Sequence, residues 1–381
     1  MTDKQIVETE LKKGLEGIIA GNSKVCLLDG ENGRLEYRGY KIQDLAAHCT
    51  FEEVAYLLLY GKLPTKGDLK GFVKTLAARR KLPKPVMKTL KSLPVTMNSM
   101  EAMRTLVSAL GAGIPDARKL TAEQQLDQAV TLTAAVPVLS AYFYRVKNGL
   151  PLVKPSKKLS LAANYLYMVR GAEPTQEEAR AIDMDFILHA EHSFNASTFA
   201  VRVTISTLSD MFSAMVTGIG VLKGPLHGGA ASQVMGMLSQ IGSASNVDTY
   251  INNALANKQK IMGIGHRVYK TFDPRAVILK EEAKSFSQKK GDMKWFDMAD
   301  KIETKMLKEK GLYPNVDFYS AIVYHNLGMP AEMDSDIFAI ARVVGWSAHA
   351  LEQYSDNRLI RPLDNYIGPV DLEFVPIEKR K

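Results

Sequence analysis

The chain has 381 residues, 46% of them hydrophobic and 24% charged, and a formal net charge of +8 at pH 7. This is the balance of a folded globular protein, which excludes a disordered or low-complexity chain, and the length suggests about two domains. No uninterrupted apolar run of about eighteen residues occurs, so no membrane span is expected. Residues 1–20 carry Asp3, Glu8, Glu10 and Glu16 and no arginine, unlike a transit or signal peptide. Cys26 and Cys49 are the only cysteines, too few for a disulfide framework or a zinc site, which fits a reducing cytoplasm. The positive charge suits anionic partners, but lysines and arginines are spread along the chain without a nucleic-acid signature, so a small polyanion is expected instead.

In chain order, residues 24–29 and 34–40 read as a small hairpin around the turn Gly30-Glu31-Asn32-Gly33. Helices dominate from there. Thr50-Phe51-Glu52-Glu53 is a capping box opening a helix over 51–60, which Gly61 and Pro64 stop. Thr121-Ala122-Glu123-Gln124 opens a long helix toward Lys147, kinked at Pro137, and Thr175-Gln176-Glu177-Glu178 opens another that runs to His189. Residues 197–222 are apolar on nearly every side except at Arg202, Ser209 and Asp210, as in a helix buried from several directions. Lysines and glutamates over 279–310 read as a solvated helical face, and 335–354 as one more apolar helix ended by Ser355-Asp356-Asn357. The expected fold class is mainly α, with a minor N-terminal β-hairpin.

Several chemistries fail on their motifs. Gly263-Ile264-Gly265 lacks the third glycine of a dinucleotide fingerprint, and neither a Gly-Lys-Ser/Thr phosphate loop nor a Gly-x-Ser-x-Gly elbow occurs. His189 and His192, three apart on a helix, offer half of a metal site without the matching carboxylates, so no metal is expected. What stands out is His227, placed between Pro225-Leu226 and Gly228-Gly229 just before a helix over 230–241. The N–H groups of that helix's first turn would disfavour a charged imidazole and leave a neutral hydrogen-bond donor. His266 lies in a second glycine-rich turn, Asp317 follows Pro314-Asn315 at the start of a helix over 318–327, and Arg275, Arg342, Arg358 and Arg361 recur beyond. A carboxylate base, two polarising imidazoles and several guanidinium forks suit proton removal beside a carbonyl, followed by addition to a polycarboxylate.

Six stretches together resemble the citrate synthases: LDGENGRLEYRGY (28–40), NASTF (195–199), LKGPLHGGA (222–230), MGIGHRVYKTFDPRA (262–276), YPNVDFYS (313–320) and ARVVGWSAHALEQYSDNRLIRP (341–362). They span nearly the whole chain in the family's order, and the length is similar to the shorter bacterial and archaeal form. One departure is Glu191-His192-Ser193, where the family usually has Asp-His-Glu.

The resemblance implies a two-domain, homodimeric, cytoplasmic enzyme: a large domain of residues 1–228 plus 330–381, and a small one of 229–329 that closes after oxaloacetate binds. It implies that Asp317 takes a methyl proton from acetyl-CoA, His227 stabilises the enol or enolate, and His266 donates to the oxaloacetate carbonyl. His192, Arg275 and Arg342 would hold carboxylates, together with Arg361 of the second subunit. Coenzyme A would meet Lys258, Lys260, Met262, Gly263, Ile264, Gly265, Arg267 and Lys270. No cofactor is implied, since acetyl-CoA is a substrate. The same motifs serve 2-methylcitrate synthases, which use propionyl-CoA; citryl-CoA lyases are a more distant alternative. One methylene in an apolar pocket changes selectivity by only about 1–3 kcal/mol, so motifs do not separate acetyl from propionyl.

Overall fold

The structure is a computed structural model describing residues 11–114, 117–228 and 230–380. Gly229, the second glycine after His227, lies outside them. The expected hairpin forms from β1 (Cys26–Asp29) and β2 (Arg34–Tyr37), antiparallel with Asp29 opposite Arg34. Asp29 holds the turn by accepting from the N–H groups of Glu31 and Asn32. A third strand, β3 (Tyr40–Lys41), was not anticipated; Gly39, at φ +90°, reverses the chain so that Tyr40 pairs with Tyr37.

Helices α1 (Ile42–His48), α2 (Phe51–Tyr60), α3 (Lys66–Arg79), α4 (Lys84–Ser92), α5 (Ser99–Leu110), α6 (Ala122–Lys147), α7 (Leu161–Arg170) and α8 (Gln176–His189) follow. All three capping boxes close reciprocally, at Thr50/Glu53, Thr121/Gln124 and Thr175/Glu178. Each cap contributes about 1 kcal/mol to its helix end. Two buried carboxylates cap neighbouring helices as well: Glu52 accepts from the Leu161 N–H at 2.6 Å, and Asp183 from the Phe51 N–H at 3.1 Å. Helix α6 runs unbroken through Pro137. It has the length and hydropathy of a membrane span, yet 83% of its most apolar window is buried, so its apolar surface forms core.

The apolar stretch 197–222 is two helices, α9 (Ala196–Ser206) and α10 (Met211–Leu222). Leu208 adopts φ +63° between them, and Asp210 caps α10 by accepting from the Ser213 N–H. Of the polar residues that looked like exceptions on one helix, Ser209 and Asp210 are therefore the turn, while Arg202 lies within α9. The long helix α16 (Asp334–Ser355) lies at the centre and packs on α2, α6, α8, α9 and α10, with Trp346 fully buried. Helices α11 (Ala230–Ile241), α12 (Val247–Ala256), α13 (Pro274–Lys290), α14 (Lys294–Lys310) and α15 (Val316–Asn326) pack chiefly on one another. Of these, α13 also meets α1 and α8, and α11 also meets α16. The charged run 279–310 is thus the end of one helix and the whole of another, joined through Gly291 at φ +69°.

At the start of α16 sits a buried carboxyl that the fold does not satisfy. Asp334 is 3% exposed and neither of its oxygens has a hydrogen-bond partner. Burial pushes its pKa up to about 8, and Asp185, Asp317 and Asp336 add to the rise. An unfolded aspartate titrates near 4, so between about pH 4 and pH 8 folding takes up a proton and stability falls as pH rises. Asp334→Asn removes that titration. The variant is expected to melt with the wild type near pH 4.5 and well above it at pH 8, a difference on the order of a few kcal/mol. Thermal melts across this range check it; wild-type and variant curves that stay parallel would show that Asp334 does not titrate there.

Candidate active site

The turn carrying His266 is tied to the segment carrying Asp317. The Gly265 N–H donates to the Tyr313 carbonyl at 2.8 Å, the Asn315 N–H to the Gly263 carbonyl at 2.9 Å, and Asn315 Nδ2 to the Gly265 carbonyl at 3.0 Å. Gly263 has φ +75°, and a Cβ there would lie 2.7 Å from Phe318 and 2.8 Å from Val234, so no other residue fits. Asn315 then caps α15 by accepting from the Asp317 N–H, which fixes Asp317 in the helix's first turn. Its carboxyl makes no hydrogen bond among the described residues. Burial raises its pKa, Asp273 and Asp185 add to the rise, and His189 and Arg275 oppose it.

The proton on His266 can be placed. Its Nδ1 accepts from the Val268 and Tyr269 N–H groups at 3.0 and 3.1 Å, so Nε2 carries the hydrogen. Burial, and then Arg275, lowers its pKa to about 4, so the ring is neutral at physiological pH. His227 is likewise lowered to about 4, by burial and then Arg342. A backbone donor at its ring comes from α9. The Ser197 N–H, in the first turn of α9, points at His227 Nε2 at 3.4 Å, and Ser197 Oγ lies 2.8 Å from the same atom. Trp346 Nε1 donates to Ser197 Oγ at 3.1 Å, and the hydroxyl has two acceptors within 2.8 Å, Asn195 Oδ1 and the imidazole. With Nε2 accepting from the Ser197 N–H, Nδ1 of His227 is the donor.

The third group is cationic. Arg275 is buried and forms a bidentate pair with Asp273 through Nε (3.0 Å) and Nη2 (2.7 Å). Arg342 is buried with its Nε on the His189 carbonyl at 2.7 Å, while its Nη2 has no partner. His192 projects from the turn after α8, made by Ser193 at φ +54°, with Nε2 3.3 Å from the Tyr269 hydroxyl and its ring centroid 5.2 Å from that of His266. Burial, then Arg275, His266 and Arg342, holds His192 well below the usual histidine range. Arg275 thus acts on His192, His266 and Asp317, and Arg342 on His192 and His227, so all four groups lie within electrostatic reach of the two guanidinium groups.

Residues 14–363 match the family pattern described as "Citrate synthase, C-terminal domain". The chain belongs to the citrate synthase family. It is 45% identical to the citrate synthase of Haloferax volcanii over 376 residues, covering 97% of this chain and 99% of that one. It is 41% identical to 2-methylcitrate synthase 2 of Corynebacterium glutamicum, covering 98% of each. Among solved structures, the citrate synthase of Thermoplasma acidophilum, in ternary complex with carboxymethyl coenzyme A and oxaloacetate, superposes with a TM-score of 0.92. That match has 36% identity and covers 97% of this chain and 100% of the other.

Of the residues the citrate synthase resemblance singled out, His192, His227, His266, Arg275, Arg342 and Asp317 come together. Arg361 does not: it is exposed on the tail after α16, just past the point where the Ile360 N–H donates to Ser206 Oγ. Lys258, Lys260 and Arg267 are exposed and Met262 and Ile264 half-buried around the Gly263–Gly265 turn, with Lys258 at φ +53°. Lys270 faces the hairpin instead and pairs with Glu31 at 2.5 Å. His189 closes α8 and His192 lies beyond it, so the two do not share a helical face as a metal pair would. Sequence reasoning passed over Ser197, Trp346, Tyr269, Asp273 and Asn315, which set tautomers, charge and helix start. Asn315 and Asp273, N-cap types just before Val316-Asp317 and Pro274-Arg275, carried a local signal.

Proposed function

We propose that the chain condenses acetyl-CoA with oxaloacetate and hydrolyses the citryl thioester to citrate and coenzyme A. The observation carrying this reading is the grouping of two neutral imidazoles with assignable donor atoms around one carboxylate of raised pKa and two buried guanidinium groups. An ordinary carboxylate is a weak base for a carbon acid, and burial strengthens Asp317 as it takes the thioester's methyl proton. The enolate must be stabilised as it forms, and His227 donates to its oxygen from Nδ1. His266 donates from Nε2 to the keto oxygen of oxaloacetate as the C–C bond forms. One donor so placed supplies roughly 3–4 kcal/mol. Because both rings are neutral, they share charge with the oxyanions without delivering a proton too early.

Arg342 and Arg275, with His192, hold the oxaloacetate carboxylates, and Arg361 reaches the site of a second copy of the chain. The basic residues beside the Gly263–Gly265 turn meet the coenzyme A phosphates; Lys270, drawn to the hairpin, contributes least. Residues 229–329 act as a small domain that closes on residues 1–228 and 330–381, shutting out water that would protonate the enolate. No cofactor takes part.

The identity to a 2-methylcitrate synthase supports propionyl-CoA as a second acyl donor. Specificity constants for the two thioesters, measured with oxaloacetate and thiol release as readout, test the reading. Acetyl-CoA is expected to be preferred by about tenfold or more. Preference for propionyl-CoA would make the chain a 2-methylcitrate synthase, and turnover of neither would overturn the reading.

A further inference from the structure

The free end of Arg342 raises a question that its own contacts do not answer. A fully buried guanidinium with an unpartnered Nη2 is costly, and burial lowers its pKa. The strongest opposing influence is Glu191, the residue before His192. Glu191 is itself fully buried, and its Oε2 also has no hydrogen-bond partner. The two charges balance one another while both keep an end unbonded.

What keeps Glu191 there is a relay along α16. Its Oε1 lies 2.9 Å from His349 Nε2, and His349 Nδ1 lies 3.2 Å from Arg202 Nη1. Arginine can only donate, so Nδ1 accepts and Nε2–H donates to the carboxylate. Arg202 is held in turn by Glu352 at 2.8 Å and by the face of Phe194, 4.6 Å away. Gly345 completes the seat: a Cβ there would fall 2.3 Å from Glu191 Oε2 and 2.2 Å from the Ala190 carbonyl. Arg342, Gly345, His349 and Glu352, spaced 3, 4 and 3 along α16, therefore form one stripe facing the turn that carries His192.

We propose that Glu191, fixed by His349 and Arg202, is a positioning residue for the dicarboxylate end of the site. It holds Arg342 in charge balance without taking its Nη2, and it sets the turn from which His192 projects. The inference rests on the oxaloacetate reading above and deepens it. Its consequence is selective, because the relay serves one substrate's half of the site and not the basic turn at residues 258–267.

The test uses the full-length enzyme with two replacements. His349→Phe keeps a ring against Phe194 but cannot donate to Glu191. His349→Gln can accept from Arg202 and donate to Glu191 through its two amide atoms. His349→Phe is expected to weaken oxaloacetate, in both calorimetric Kd and KM, by about tenfold or more. Its KM for acetyl-CoA should stay within about twofold, and His349→Gln should recover most of the oxaloacetate affinity. Should His349→Phe fail to fold, Arg202→Met opens the relay from its far end and is expected to give the same split. Unchanged oxaloacetate affinity in the folded variant, or equal losses for both substrates that follow the melting temperature, would overturn the proposal. A wild-type protein that binds no oxaloacetate would overturn the functional reading instead.

Discussion

Asp317→Asn is expected to fold and bind oxaloacetate like the wild type while losing roughly 10³-fold in kcat. The fold should tolerate the change because the capping bond at this position uses the Asp317 backbone N–H and Asn315 Oδ1, and the carboxyl makes no hydrogen bond among the described residues. An amide of the same shape cannot accept the methyl proton, so only the chemical step is removed. A pH profile adds a second check. Burial raises the Asp317 pKa, so the acid limb of kcat/KM should lie above the usual carboxylate range and vanish from the residual activity of the variant. Single-turnover rates and calorimetric binding of oxaloacetate separate the two effects. A variant that condenses substrates at near wild-type kcat would remove Asp317 from the role of base.

Much of this arrangement is legible in the sequence. The capping boxes at Thr50, Thr121 and Thr175 mark helix starts because a Thr and an acid or amide three residues on satisfy two backbone N–H groups with local atoms alone. The glycine-flanked histidines were legible for the same reason, since a turn's backbone needs are local. What escaped was set by distant contacts. The His227 tautomer depends on Ser197, thirty residues upstream, whose hydroxyl is held by Trp346 from more than a hundred downstream. The break of 197–222 into two helices was hidden because both pack on α16 and are apolar almost throughout. Nothing within a few positions of Glu191 or His349 shows that the two meet.

The second large effect is expected at Arg361. Within one chain, each buried guanidinium of the site already faces its own carboxylate: Arg275 pairs with Asp273, and Arg342 is balanced by Glu191. A dicarboxylate would therefore enter a site with little net positive charge, unless a further cation arrives from outside. Arg361 is that cation in the family resemblance, yet here it lies exposed on a tail anchored at Ser206, the last residue of α9. The tail beyond it exposes Leu363, Ile367, Leu372 and Phe374 at 78–91% of their surface, apolar area that a second copy would cover. Losing a charged contact to a substrate carboxylate in a dry site costs about 2–5 kcal/mol, so Arg361→Ala should be nearly inactive. Mixing it with inactive Asp317→Asn, after dissociation and reassociation, distinguishes the two possible owners of the arginine. If Arg361 serves the partner's site, a heterodimer has one site with both defects and one with neither, and about half of the wild-type activity per heterodimer returns. If it serves its own site, each site keeps one defect, and heterodimers verified by mass spectrometry stay inactive.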